Sequence, residues 1–458
     1  MASLEALQDR FRRTVVFQMT VAVKGADGLG KVLTAVGGQG AAAGDIHFAY
    51  VHDDVLVYGI QIFAVDDEQM AAVREAVEAL GGVTVRELAD LAMETHRGGA
   101  CEMRSRVPIR SNTDLRIVYT PGVARVCKAI EADASLAREY TNLANKVAIV
   151  TNGTAILGLG DIGPVAGLPV MEGKAAIFWE FARISAEPIL IDTHDPREFI
   201  DVCMQIAPTF GAIQIEDVKA PECFEITRTL DERLPVPVFH DDQHGTATIV
   251  LAGLYSALRK ADRRIEDMKT VICGAGAAGT AITELLQRAG VPDVVLCDSV
   301  GALYRGRTEN MNPEKQTLAE RTNRENVQGR LADAMVGRDL FIGVSRPNLV
   351  SREMVRSMAP EPIVFALSNP VSEISVADAY EAGAFLAADG RMMNNALVYP
   401  GLFRGALDAG AEAITMDMLL AAASALAKIV PDGAFLPEMM NPATHQAIAN
   451  AVQHAAGR

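Results

Sequence analysis

Val271-Ile-Cys-Gly274-Ala275-Gly276-Ala277-Ala278-Gly279 decides the fold of the second half of the chain. A short apolar run enters it and a helical pattern, Thr280–Ala289, leaves it. In that setting Gly274 permits a tight turn, Gly276 lets a pyrophosphate approach the backbone, and Gly279 lets the helix lie against the strand. The helix start adds amide donors and a dipole that favours negative charge. Asp298 ends the next apolar run, Val294–Cys297, where a carboxylate can accept from adenosine ribose hydroxyls and repel a 2′-phosphate. The loop therefore reads as a site for NAD in preference to NADP. Further runs near Leu340–Gly343, Ile363–Leu367 and Phe385–Ala388 complete the pattern of a doubly wound, Rossmann-type α/β sheet. Asn369 follows the second of these runs, where an amide can reach both substrate and nicotinamide. Met416–Val430 reads as an amphipathic helix.

Upstream, Val147–Thr151, Ile189–Ile191 and Ala212–Ile215 alternate with helical segments, predicting a second α/β domain. Two acidic pairs end apolar runs there. Glu216-Asp217 follows Ala212–Ile215, and Asp241-Asp242 lies within Val236-Pro-Val-Phe-His-Asp-Asp-Gln-His-Gly-Thr246, which opens a helix over Thr246–Leu258. Carboxylates that converge at strand ends suit Mg²⁺ or Mn²⁺, which prefer oxygen ligands. Two solvated acidic turns are the plainer alternative.

With 458 residues the chain has room for two to four domains at ~100–200 residues each. Half of it is hydrophobic and 22% is charged, so it can bury large cores. The net charge of −16, without a block of Lys or Arg, argues against a nucleic-acid partner. Cys101, Cys127, Cys203, Cys223, Cys273 and Cys297 show neither disulfide nor zinc spacing, which fits a reducing compartment. No signal segment and no run of roughly 18 apolar residues is present, so the expectation is a cytoplasmic protein without a membrane span.

Two more blocks join those above: Tyr119-Thr-Pro-Gly-Val-Ala and Val170-Met-Glu-Gly-Lys174-Ala-Ala. In this order, with the acidic pairs and the glycine loop, they resemble the malic enzyme family from about Val107 to the region of Asp408. The resemblance implies oxidative decarboxylation of malate to pyruvate and CO₂ with reduction of NAD, or, alternatively, a malolactic conversion to lactate. It implies Glu216, Asp217 and Asp242 as metal ligands, with Asp241 as their neighbour. Lys174, read alone as a base or as a solvated lysine at a helix start, becomes the base, and Tyr119 the acid that protonates the enolate. Asn395 corresponds to a donor to the substrate carboxylate, and Asn394 is its companion. A lysine base must be neutral, which requires a lowered pKa. Some NADP-using relatives carry Asp-Ser-Lys-Gly where this chain has Asp298-Ser299-Val300-Gly301; Arg305 or Arg307 could take the place of that lysine. Many larger relatives hold the distal carboxylate with an arginine where this chain has Ala155.

The first ~90 residues follow a different rhythm. Strand patterns at Thr14–Val23, Asp45–Val51, Val55–Ala64 and Val83–Leu88 enclose helical ones after Gly28 and over Asp67–Leu80. That order, β-α-β-β-α-β with a hairpin across His52-Asp53-Asp54, predicts a ferredoxin-like domain. It resembles an ACT domain, which implies a small-molecule effector at Asp27, Gly28, Leu29 and Gly30, with Asp45 or Ile46 on the other side, or a plain dimerisation role. A homodimer or higher homo-oligomer is expected. A non-catalytic effector-binding protein is a third reading, disfavoured by a full set of acid, base and metal residues. The domains are drawn at 1–93 (ACT-like), 94–250 (substrate and catalytic) and 251–458 (NAD-binding), with a linker over Glu94–Ser105.

Overall fold

The computed structural model of the chain describes residues 14–25, 27–52, 55–156, 159–369 and 371–457. Residues up to Glu102 form one compact unit and those from Met103 another. The first unit has strands β1 (Val15–Lys24), β2 (Ala42–His52), β3 (Val55–Ala64) and β4 (Val83–Asp90). They pair antiparallel in the order β2-β3-β1-β4, with Val15 opposite Ala64. Helices Gly28–Gly38 and Asp67–Glu78 cover one face. Alternation in β1 puts Phe17, Met19, Val21 and Val23 on that face, against Val32 and Val36 of one helix and Met70, Val73 and Val77 of the other. Asp66 caps the second helix by accepting from the Gln69 amide at 2.8 Å. This is the expected ferredoxin-like plan; the turn residues Asp53 and Asp54 lie outside the described residues.

The second unit contains two parallel sheets. The first runs β6-β5-β7-β8, from β5 (Lys146–Thr151), β6 (Ser185–Leu190), β7 (Ala212–Ile215) and β8 (Val238–His240). The second runs β10-β9-β11-β12-β13, from β9 (Lys269–Cys273), β10 (Asp293–Cys297), β11 (Leu340–Gly343), β12 (Ile363–Ala366) and β13 (Leu386–Asp389). Strands covered on both faces read as unbroken apolar runs, and Val147–Val150 and Leu340–Ile342 are fully buried. In each sheet the chain steps one way from its first strand and then returns to the other side. The reversal leaves a crevice beyond the strand ends, beside β5 and β7 in one sheet and β9 and β11 in the other. Helix Thr246–Ala261 is buried on nearly every side, and its core joins that of both sheets.

Helices Asn112–Val118 and Val123–Ala132 stand apart from this core. Neither buries a side chain, and Ile117 and Tyr119 are each about two-thirds exposed. Among the described residues no helix is long and apolar enough to cross a membrane.

Candidate active site

After β8 the chain makes a wide turn over Asp241–Gly245 before helix Thr246–Ala261 begins. The turn folds Asp241 back over Gly245: a Cβ there would lie 2.1 Å from Asp241 Oδ1. Lys174 projects from the middle of helix Gly163–Ala182. Its Nζ lies 2.5 Å from Glu216 Oε1 and 2.6 Å from Asp241 Oδ2, and 4.8 Å from the centre of the Tyr399 ring. Burial alone would lower the lysine's pKa, but Asp241 and Glu216 outweigh it and hold the ammonium well above its usual range.

Glu216, Asp217 and Asp242 offer one oxygen each within 4.8 Å of one another. Asp217 adopts a left-handed backbone (φ 49°), which turns its amide toward Asp242 Oδ2 at 3.1 Å. Its carbonyl accepts from the Ala155 amide at 3.0 Å, so the short Ala155 side chain lies next to this turn. Gln214 donates to Glu216 Oε2 at 2.8 Å. Burial pushes Glu216 well up; Lys174 opposes, and Asp241, Asp242 and Asp217 add to the rise. Asp242 is also raised, chiefly by desolvation. Its side chain is 39% exposed and forms the open side of the group. Crowded carboxylates short of positive charge fit a hard divalent cation. Two imidazoles, one buried and one half-buried, flank them: desolvation lowers His240 to about 3 and His244 to about 4, so both are neutral.

Asn395 donates to Thr246 Oγ1 at 3.0 Å and to the Asp241 carbonyl at 3.4 Å, which brings it to the same turn. Asn394 instead accepts from the Ala396 amide, a local cap. The structure thus separates two asparagines that the sequence leaves side by side. Tyr119 is not among the groups around Lys174; the ring there belongs to Tyr399, which no sequence motif marks. Tyr399 opens an apolar helix, Tyr399–Ala409, and reads as core, so only its place in Asn394-Asn395-Ala-Leu-Val-Tyr399 hinted at the site.

The glycine loop joins β9 to helix Ala277–Ala289, with Gly276 as its N-cap. Gly274 has φ 119°, and a Cβ on Gly279 would lie 1.8 Å from the Gly274 carbonyl oxygen, so helix and strand meet only through glycine. Ala275, Ala277 and Ala278 fill the turn between. Asn369, beyond β12, is exposed and packs its amide 2.9 Å from where Gly390 would carry a Cβ. Asp298 follows β10 but is already engaged. Its oxygens accept from Arg307 Nη2 at 2.7 and 2.8 Å, Lys315 at 2.8 Å, Asn310 at 2.9 Å and the Val300 amide at 2.9 Å. Burial works to raise its pKa, but Lys315 and Arg307 keep it below the usual value. Arg307 spends its remaining donors on the carbonyls of Gly301, Ala302 and Glu309, and Arg305 pairs with Glu320.

In the first unit Asp27 precedes helix Gly28–Gly38 and pairs with Lys31 at 2.8 Å instead of capping. Gly28 is buried, Leu29 packs on the core, and Gly30 is exposed. Asp45 and Ile46 are exposed on the edge strand β2. Ile46 pairs with Ile60 and Ile60 with Met19, whereas the turn follows Lys24. Five residues of strand, roughly 17 Å, separate the two halves of the expected effector site, which the fold does not bring together.

A metal-suited carboxylate group beside a buried lysine, next to a nucleotide-binding sheet, defines a metal- and nucleotide-dependent oxidoreductase. Residues 99–231 match the family described as malic enzyme, N-terminal domain, and residues 243–393 and 387–456 match malic enzyme, NAD binding domain. The chain is 44% identical over 436 residues to the NAD-dependent malic enzyme of Geobacillus stearothermophilus, covering 92% of this chain and 90% of that one. It is 45% identical over 381 residues to the bifunctional malic/malolactic enzyme of Bacillus subtilis, covering 81% and 93%. The crystal structure of an NAD-dependent malic enzyme from Thermotoga maritima superposes with a TM-score of 0.77 at 40% identity, over 79% of this chain and 98% of that one. The chain belongs to the malic enzyme family.

Proposed function

We propose that this protein oxidises malate with NAD and releases CO₂, yielding pyruvate and NADH, in a reaction that requires Mg²⁺ or Mn²⁺. The observation that carries it is Lys174 Nζ seated between Asp241 and Glu216 beside the three converging carboxylates. Glu216, Asp217 and Asp242 would hold the cation, which when bound supplies Lewis acidity to the 2-oxygen and carboxylate of the substrate. Lys174 takes the proton of the 2-hydroxyl as hydride leaves for nicotinamide. For that it must be neutral; a cation held by Glu216 would supply the positive charge that lowers the ammonium's pKa. Asn395 orients the substrate carboxylate. The glycines from Gly274 to Gly279, with Asp298 and Asn369, bind NAD; Asp298 can greet a ribose hydroxyl only by sharing lone pairs with its present donors.

Tyr119 protonates the enolate at carbon. Its exposed position, between two helices that carry no fully buried side chain, supports a homo-oligomer in which a second copy covers those helices and completes the site. The N-terminal unit is an ACT-like domain, with boundaries at 1–93, 94–250 and 251–458, and either binds a small effector or dimerises. The spacing of the six cysteines, with neither a disulfide nor a zinc pattern, supports a reducing, cytoplasmic setting.

Steady-state NADH formation from malate with Mn²⁺, comparing NAD with NADP, tests the reading. Lactate production without net NADH would favour the malolactic alternative, which the name of the Bacillus subtilis relative keeps open. No turnover of malate under any of these conditions would sink the proposal.

A further inference from the structure

At the cofactor end of the second sheet lies a carboxylate that the reaction above leaves unused. Glu373 is fully buried. Its Oε1 accepts from the Ser345 amide at 2.8 Å and its Oε2 from the Ser368 amide at 3.1 Å. Ser345 follows β11 and Ser368 follows β12, so one side chain bridges the loops that leave two neighbouring strands. The backbone repeats the tie: the Val350 amide donates to the Glu373 carbonyl at 3.0 Å, and the Asn348 amide to that of Ser372 at 3.1 Å.

The first of these loops forms one wall of the crevice between β9 and β11. A Cβ on Gly274 would lie 2.5 Å from the Val344 carbonyl oxygen, so this loop touches the glycine loop directly. The second loop carries Asn369. Room for the bridge exists because position 343 is glycine: a Cβ there would lie 2.5 to 2.8 Å from the Glu373 carboxyl atoms. Among the described residues no ion pair reaches Glu373, and burial pushes its pKa up. A buried carboxylate held by two amides without a cation is costly, and plain packing would not need one. Two amides that both donate do need two acceptors. Glutamine offers one, and turns an N–H against the other amide.

We propose that Glu373 is a positioning residue for the nicotinamide cofactor, holding the loops after β11 and β12 in the arrangement that receives it. The proposal rests on the NAD-binding reading of this sheet. Fluorescence titration of the full-length protein with NADH, without malate or metal, keeps the two apart: a wild type that does not bind NADH sinks the cofactor reading whatever Glu373 does. Given wild-type binding, Glu373→Gln should raise the NADH Kd and the NAD KM about 10-fold. The malate KM should stay within about two-fold, a split between the two KM values that a merely structural residue would not produce. An unchanged Kd overturns the proposal, as does a fall in melting temperature with a comparable rise in both KM values. Gly343→Ala keeps Glu373 but drives its carboxyl off the loops, and should give the same selective rise. If Glu373→Gln does not fold, an unchanged Kd in Gly343→Ala overturns the proposal alone.

Discussion

Glu216, Asp217 and Asp242, beyond β7 and β8, and Asp298, beyond β10, all follow the ends of strands in parallel sheets, yet their surroundings are opposite. Around the first group one ammonium, Lys174, faces four carboxylates once Asp241 is included. Around Asp298 two cations, Arg307 and Lys315, face one carboxylate. The first set is short of positive charge, and burial, only partly opposed by Lys174, pushes Glu216 and Asp242 up. The second is oversupplied, and its pKa falls. An acid at a strand end can thus be a receptor for a cation from solution or an internal brace, and the neighbours decide which.

The sharpest way to break this contrast is Lys174→Ala. It should cut turnover by ~10²–10⁴-fold, the range for loss of a general base, with NAD binding changed by only a few-fold. Retention of more than about a tenth of wild-type turnover would remove Lys174 from the role. Next comes Asp298→Asn, which strands two buried cations. Urea denaturation should show a loss of ~3 kcal/mol, whereas Asp242→Asn should cost little stability and should abolish the rise in melting temperature that Mn²⁺ gives the wild type. A wild type indifferent to Mn²⁺ in both activity and melting would mean that the first group is a brace as well.

Acid should sharpen the contrast further. His240, His244 and His445 are held below their usual pKa, chiefly by burial. The unfolded chain therefore binds more protons than the folded one below pH ~6.5, and stability falls as pH drops, by at most ~1.4 kcal/mol per pH unit per histidine. Glu216 and Asp242 act in the opposite sense: raised in the folded state, they take up protons there first and gain stability as pH falls. Mn²⁺ would hold them ionised and remove that gain. The melting temperature should thus fall more steeply between pH 7 and 5 with Mn²⁺ than with chelator; equal slopes would contradict the assignment. The smallest effect is expected from Val300→Lys, a few-fold gain in kcat/KM for NADP relative to NAD, because Val300 is partly exposed and neither Arg305 nor Arg307 is free.

The sequence made the strand ends and the glycine loop legible because those signals are local. An apolar run followed by acid, or by Gly-x-Gly-x-x-Gly, needs no distant partner to be read. Side-chain direction was not legible. Lys315 and Arg307 reach Asp298 from a helix and a loop whose orientation no pattern encodes, so Asp298 reads as open to ribose. Tyr399 comes to Lys174 from the far end of the chain as one aromatic among core residues. Strand β6 begins at Ser185, well before the apolar run Ile189–Ile191, and that start was hidden because Pro188 interrupts the usual strand signal although it sits within the pairing. The helix around Lys174 contains Pro169 and Gly173, so its middle reads as a beginning. In the first unit the order of elements was plain, but register was not, and register is what parts Asp45 and Ile46 from the turn at Asp27.

Gly245 touches no ligand in the proposed reaction, yet its missing side chain is the space that Asp241 fills. Any other residue there moves the carboxylate that holds Lys174. In a position-by-position tolerance scan scored by growth on malate, position 245 should be as intolerant as position 174, and alanine no better accepted than tryptophan. A scan scored by protein abundance should part them from the buried core, since the turn can shift without unfolding the chain. Intolerance in the first screen without intolerance in the second would mark Gly245 as a steric extension of Asp241, a silent member of the site that no inventory of chemical groups would include.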